Sequence, residues 1–183
     1  MQESGTEASR RLAGPTGPEN GGIGAVRPDL EQIFRREYPR VHGIARRVLG
    51  DARAAEDVAQ DVFVAFGRSS VPVGEAAGWL AVAASHTALN LLRTERRRRD
   101  RERRAAAGEH LPDIADHVVR ATERARVRQV LGRLPRRQAL VVLLRHSGLS
   151  YQEIAAATGM AAGGIGTTLR RAEAAARKEL ERS

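Results

Sequence analysis

Trp79, Ala83, His86, Asn90, Arg93 and Arg97 follow one another at steps of 4, 3, 4, 3 and 4 residues. That spacing lines side chains along one side of an α-helix. Leu80, Ala84, Thr87 and Leu91 fall on the opposite side, which is apolar. The first side runs from an aromatic ring through polar groups to guanidiniums. An aromatic with polar and cationic neighbours suits an unstacked nucleic-acid base and its phosphates. The indole suits a core position equally well, and the spacing leaves both open. Eight arginines lie between Arg93 and Arg104 against Glu95, Asp100 and Glu102, a local net of +5. Such a run is ordinarily a solvated, helix-extending segment. Its place at the end of the Trp79 face gives it a possible use.

A second pattern lies nearer the C-terminus. Ser150 precedes Glu153 by three residues at the start of an apolar stretch, the signature of a capping box. It predicts a short helix from Tyr151 to about Thr158. Gly159 permits the positive-φ turn that joins two crossing helices. Met160 and Ile165 would pack a second helix, Ala161 to Leu180, back onto Ile154, and the small Ala155 allows close approach. This is a helix-turn-helix pattern, with an ordinary αα-hairpin as the plainer alternative. Leu134-Pro135 followed by Ala139, Leu140, Val142, Leu143 and Leu144 reads as the supporting helix, with Pro135 in its first turn. In a helix-turn-helix the second helix enters the DNA major groove. Thr167, Thr168, Arg170 and Arg171 are the candidates for bases and phosphates, arginine being the stronger donor to guanine edges.

These patterns sit in a chain of 183 residues with 31 lysines and arginines, 22 aspartates and glutamates, and a formal net charge of +9. The basic excess points to a polyanionic partner. With 42% apolar residues a packed core is affordable, though only six residues are aromatic: Phe34, Tyr38, Phe63, Phe66, Trp79 and Tyr151. No cysteine is present, which excludes disulfides, thiolate chemistry and Cys-based zinc. The five histidines form no i,i+4 pair, so neither a metal nor a cofactor is expected. No P-loop, HExxH or GxSxG pattern appears, and an enzyme is not expected. No apolar run approaches a membrane span, and no apolar segment of a signal peptide opens the chain. The expected compartment is the cytoplasm.

The elements follow from periodicity. Residues 1–27 hold eight glycines and prolines in a polar setting and read as a disordered tail. Leu30, Ile33, Phe34, Val41, Ile44, Ala45, Val48 and Leu49 recur at helical spacing, with Asp29 as N-cap, Gly50 as stop, and a kink or break at Pro39. A second helix runs from Asp51 through Ala55, Val58, Ala59, Val62, Phe63 and Phe66 to Gly67. A loop, Arg68 to Gly74, precedes a long third helix from Glu75 past Arg97. Residues 105–115 read as a linker, and helices resume near Asp116. The expected fold is all-α: a 28–104 lobe and a 116–183 lobe joined by the linker.

The ensemble resembles the extracytoplasmic-function group of bacterial RNA polymerase sigma factors. The residues that carry the resemblance are Ala55-Glu-Asp-Val-Ala-Gln-Asp-Val-Phe63, Trp79-Leu80 and Ala88-Leu-Asn-Leu-Leu-Arg93. Later come Leu134-Pro-Arg-Arg-Gln138, Gly148-Leu-Ser-Tyr-Gln-Glu-Ile-Ala155, Gly159-Met160 and Leu169-Arg-Arg-Ala172. The likeness covers about residues 29–181. It implies a sigma region 2-like lobe and a region 4-like lobe. It implies that Glu56, Asp57, Gln60, Asp61 and Phe63 dock on the clamp helices of the polymerase β′ subunit. The loop near Arg68 and the face of Trp79, His86, Asn90, Arg93, Arg96 and Arg97 would melt and read the promoter −10 element, capturing a flipped base. Thr167, Thr168, Arg170 and Arg171 would read the −35 duplex. Core polymerase (β′ clamp helices and β flap), promoter DNA and an anti-sigma factor are the implied partners.

Four departures from the family stand out. Ser85-His86 replaces the usual Arg-Asn pair, and Asn90 replaces a frequent aspartate. Ala161 replaces the capping Ser or Thr of the reading helix. Gly164-Ile-Gly-Thr-Thr168 replaces a Thr-Val-Lys-Ser-Arg-like run. Gly163, Gly164 and Gly166 each cost about 1 kcal/mol of helix propensity relative to alanine, so a frayed first turn and weak −35 recognition are expected. An autonomous helix-turn-helix regulator is the alternative reading. It accounts for residues 134–181 and leaves the acidic helix and the Trp79 face without a task.

Overall fold

The computed structural model describes residues 27–106 and 119–181. The described residues are helical and contain no strand. The helices are α1 (Leu30–Leu49), α2 (Ala52–Gly67), α3 (Ala76–Ala106), α4 (Val119–Arg133), α5 (Arg136–His146), α6 (Tyr151–Thr158) and α7 (Ala162–Leu180). A short 3₁₀ turn, Val73–Glu75, leads into α3. The expected tail up to residue 26 and the linker stretch 107–115 lie outside the described residues. α3 itself runs to Ala106, two residues into the stretch assigned to the linker.

Local chemistry sets the ends. Gly50 stops α1 with φ of 77°, and its N–H donates to Arg46. Asp51 caps α2 by accepting from the Ala54 N–H at 2.7 Å. Asp29 stands at the N-cap of α1, but its carboxylate is taken by Arg27 instead of the helix. Pro39 does not interrupt α1, which is continuous through it. Only the bond to the Arg35 carbonyl is forgone, and packing of Ile33, Val41, Ile44 and Val48 on both sides of the proline holds the helix. Each large aliphatic so buried contributes about 1.5–3 kcal/mol.

The N-terminal lobe packs α1 and α2 against the first half of α3. Ile44, Val58, Phe66, Leu80 and Leu89 form its centre. Ala76, Ala81, Ala83, Ala84 and Ala88 are all buried, and these small side chains let neighbouring helices approach α3 closely. α3 is therefore covered nearly all round here, and the simple two-sided pattern fails at its end: Leu91 is exposed, while Leu92 packs on the core.

The C-terminal lobe packs α4, α5, α6 and α7 around Leu134, Leu140, Leu144, Ile154, Ile165 and Leu169. The two lobes are not separate bodies. α3 touches α4, α5 and α6, α1 touches α4, and the apolar side chains of both lobes join in one buried cluster. A Cβ on Gly78 in α3 would lie 3.1 Å from the Ala157 Cβ in α6, so the seam is tight.

Candidate nucleic-acid and partner interfaces

Glu56, Asp57, Gln60 and Asp61 are exposed along the outer side of α2. Beside them an apolar groove of about 990 Å³ opens between α1 and α2, lined by Leu30, Phe34, Tyr38, Glu56, Gln60 and Val64 among others. Phe63 is buried beneath it and meets the Phe34 ring edge-on at 4.8 Å; Tyr38 lies 4.9 Å from Phe34. Phe34 is 41% exposed and Val64 47%. Sequence reasoning placed Phe34 with the apolar face of α1 and passed over Tyr38. The spacing Phe34, Tyr38, His42 marks an aromatic stripe along α1, and Tyr38 does stack on His42. The surface thus couples carboxylates to exposed aromatic and aliphatic groups.

The loop after α2 has an anchor that lies before α1. Arg27 donates to Asp29 at 2.6 and 2.8 Å and to the Val71 carbonyl at 2.8 Å, and its guanidinium stacks 4.3 Å from the Phe66 ring. Assigned to the tail on composition, Arg27 is instead a fixed residue with a side chain only 15% exposed. Its hydrogen bonds hold the Asp29 carboxyl below the usual aspartate range. Ser69 closes the turn by donating to the Phe66 carbonyl. Trp79 packs its ring 5.7 Å from Phe66, partly buried at the edge of the core, so the core reading and an exposed edge both apply. Arg68 is exposed at the end of α2.

The rest of the α3 face meets the C-terminal lobe. Arg93 donates to the Leu134 carbonyl at 2.9 Å, Arg96 to the Gly132 carbonyl at 3.3 Å, and Arg136 to Asn90 Oδ1 at 2.7 Å. His86 is partly buried between them. Desolvation first, then the charges of Arg136 and Arg93, push its pKa down. Burial and the neighbouring Arg136 and Arg97 lower Arg93 as well. Arg97 turns outward and donates to Thr94.

The helix-turn-helix is built as its caps require. Ser150 Oγ accepts from the Glu153 N–H, and the Glu153 carboxylate accepts from the Ser150 N–H at 2.7 Å. Gly159 turns with φ of 68°. Ile154 and Ile165 are fully buried, and Met160 packs on them. α7 starts at Ala162 without a side-chain cap, yet Gly163, Gly164 and Gly166 are all helical. The expected frayed turn is absent because Ile165 is anchored in the core immediately beside those glycines. On α7, Arg170 and Arg171 are exposed; Arg170 donates to Thr167, and Thr168 donates back to the Gly164 carbonyl.

The Sigma-70 region 2 family matches residues 33–98, and the Sigma-70 region 4 family matches residues 124–175. The RNA polymerase sigma-E factor of Streptomyces avermitilis is 35% identical over 157 residues, covering 84% of this chain and 86% of that protein. The ECF RNA polymerase sigma factor SigK of Mycobacterium sp. (strain KMS) is 31% identical over 130 residues, 67% of each. The chain belongs to the extracytoplasmic-function RNA polymerase sigma factors. The fold agrees: CnrH, solved with the cytosolic domain of CnrY, superposes with a TM-score of 0.55 at 23% identity over 96% of both chains. The sigma factor RpoE of Bartonella quintana, solved with the anti-sigma factor NepR, gives 0.50 at 22% identity, covering 85% of this chain and 98% of that one.

This sigma factor brings Glu56, Asp57, Gln60 and Asp61 onto one open side of a helix, and His86, Asn90, Arg93 and Arg96 into one seam. It leaves Arg68 and Arg97 outside that seam. It holds Thr167, Thr168, Arg170 and Arg171 together on α7. Arg27, Phe34 and Tyr38 are the additions. Among the described residues no helix is long and apolar enough to cross a membrane.

Proposed function

We propose that residues 28–104 act as the polymerase-docking and −10 module of this sigma factor, and residues 116–183 as its −35 module, with residues 105–115 linking them. Glu56, Asp57, Gln60, Asp61 and Phe63, joined by Phe34 and Tyr38, engage the β′ clamp helices. Trp79, His86, Asn90, Arg93, Arg96, Arg97 and Arg68 hold the opened −10 strand, where stacking and polar contacts offset an unstacking cost of a few kcal/mol. Thr167, Thr168, Arg170 and Arg171 contact the −35 duplex, and the C-terminal lobe meets the β flap. The protein acts as a dissociable, non-enzymatic subunit. RpoE of Bartonella quintana, one of the solved structures named above, was captured with the anti-sigma factor NepR, and a partner of that kind is proposed here too.

One observation carries the reading: a single bundle presents carboxylates beside an apolar groove on α1 and α2, and exposed guanidiniums such as Arg97 on α3. Opposite charges on separate surfaces suit a protein that must hold an enzyme and a nucleic acid together. The test is Asp57→Lys with Asp61→Lys. Both side chains are exposed, so the fold is retained by circular dichroism while co-elution with core polymerase is lost. Undiminished co-elution overturns the docking assignment.

A further inference from the structure

We infer that the cleft between the distal half of α3 and α4 is a binding site for a short oligophosphate chain, a ligand that promoter reading does not call for.

The cleft encloses about 390 Å³, with Leu49 at the end of α1 and Leu92 of α3 as its apolar part. Five arginines line it: Arg96, Arg99 and Arg103 from α3, and Arg128 and Arg133 from α4. Steps of 3 and 4 residues put the first three on one side of α3. The arginine run of the sequence therefore divides in two. This side meets α4, while Arg101 and Arg104 are exposed outside the cleft.

Glu95 and Asp100 are the carboxylates among the lining residues, which leaves a net of +3. They reach Arg99 at 3.5 Å and Arg96 at 3.6 Å, well beyond the roughly 2.7–2.9 Å of a strong charge-assisted bond. Glu179 of α7 holds Arg133 at 2.8 Å. Among the described residues Arg103 and Arg128 form no ion pair. Positive charge thus enters one cleft from two helices, and its self-repulsion falls when an anion sits between them.

Arg128 has a seat of its own. A Cβ on Gly50 would lie 2.6 Å from Arg128 Nη1 and 2.8 Å from its Cζ. The guanidinium occupies the space that a side chain on the α1 stop would fill. Opposite the α3 arginines, α4 contributes the small Ala125 and Gly132, which keep the cleft open.

The chemistry selects the ligand. A guanidinium fork matches phosphate oxygens two at a time. Arg96 to Arg103 spans about 10 Å along the helix, more than one phosphate covers and suited to a chain of several. The volume falls within the range of small-molecule sites and excludes a duplex. Among the described residues no aromatic ring lines the cleft, so nothing there stacks a base. The site reads phosphates and ignores what they carry. Inorganic tripolyphosphate and a nucleoside triphosphate share that chemistry.

The test is titration calorimetry on the full chain, with neither polymerase nor promoter present, so its outcome is independent of the −10 assignment. Tripolyphosphate, ATP, GTP, AMP and orthophosphate are each titrated in about 0.1 M salt, where charges beyond about 10 Å are screened. The expected result is saturation by a triphosphate with Kd below about 1 mM, with ATP and GTP alike and AMP and orthophosphate about tenfold weaker or worse. Tripolyphosphate binding tighter than ATP assigns the site to inorganic chains; the reverse assigns it to nucleotides. Arg103→Gln with Arg128→Gln breaks no ion pair and should weaken binding about tenfold or more. Arg101→Gln with Arg104→Gln removes as much charge outside the cleft and should weaken it less than about twofold. No triphosphate binding, discrimination between ATP and GTP, orthophosphate binding as tightly, or equal losses in the two double variants overturns the proposal. A short DNA strand that displaces the triphosphate and depends equally on Arg103 and Arg128 makes the cleft a track for DNA phosphates, which overturns it too.

Discussion

Gly163→Ala with Gly164→Ala tests whether the glycines of α7 tax its stability. Both residues are helical, neither has positive φ, and a Cβ on either meets nothing within 4 Å. No steric cost therefore opposes the gain in helix propensity. That gain is about 1 kcal/mol per residue in a helix interior and about 0.5 kcal/mol where the backbone is less constrained. The positions lie in the first turn, so the pair should add about 1–2 kcal/mol. The lobes share one core, and a protein of this size shifts by about 2–4 °C per kcal/mol, giving a rise in Tm of about 2–8 °C by calorimetry. Gly166 is left alone because its Cβ would touch the Tyr151 ring at 3.4 Å. Gly159→Ala is the opposing control: its φ of 68° is left-handed, and a Cβ there costs about 1–2 kcal/mol. A Tm that stays flat or falls in the double alanine variant, while Gly159→Ala behaves as stated, refutes the propensity argument.

Two further outcomes follow from the seam and the core. Ser85 is fully buried with a hydroxyl that finds no partner, so Ser85→Ala should stabilise by about 1 kcal/mol; a loss in chemical denaturation would show that the hydroxyl is satisfied. His86 titrates below its ordinary value because it is desolvated and faces Arg93 on α3 and Arg136 on α5. The opened form binds its proton more readily, so closure is fully favourable above pH 6.5 and weakens as the pH falls through the lowered pKa. Disulfide trapping across positions 78 and 157, initiated at pH 7.5 and 5.5 and corrected for thiolate fraction with a model dithiol, should slow at the lower pH. His86→Gln should abolish that difference, and an unchanged pH response would remove His86 as its source.

Much of the local architecture was legible because it depends on short-range chemistry. Ser150 and Glu153 predict a helix start, and α6 begins at Tyr151 with both capping bonds formed. Gly50, Gly67 and Gly159 mark ends that depend on backbone freedom or loss of periodicity, and the helices stop there. Pro39 does not break α1 because a missing hydrogen bond costs less than the burial available on either side of it. The proposed docking and reading surfaces were legible as lists of residue types and not as surfaces. Phe34 has the spacing of a core residue, yet among the described residues no third helix covers it. Arg27 looked like tail because its three partners lie at Asp29, Phe66 and Val71, two of them far along the chain. Closure of the lobes depends on helix-end carbonyls accepting from distant arginines, and no periodicity reports that.

The grip of Arg27 on Val71 has a consequence for how the protein may be shortened. One side chain ties the segment ahead of the first helix to the loop that follows α2, 44 residues away in sequence. Trimming the chain at residue 28 would leave every helix intact and still release that loop. Spectroscopy of helical content would register no damage, while the geometry around Phe66 and Trp79 would be lost. Recombinant versions for promoter work should therefore begin ahead of Arg27.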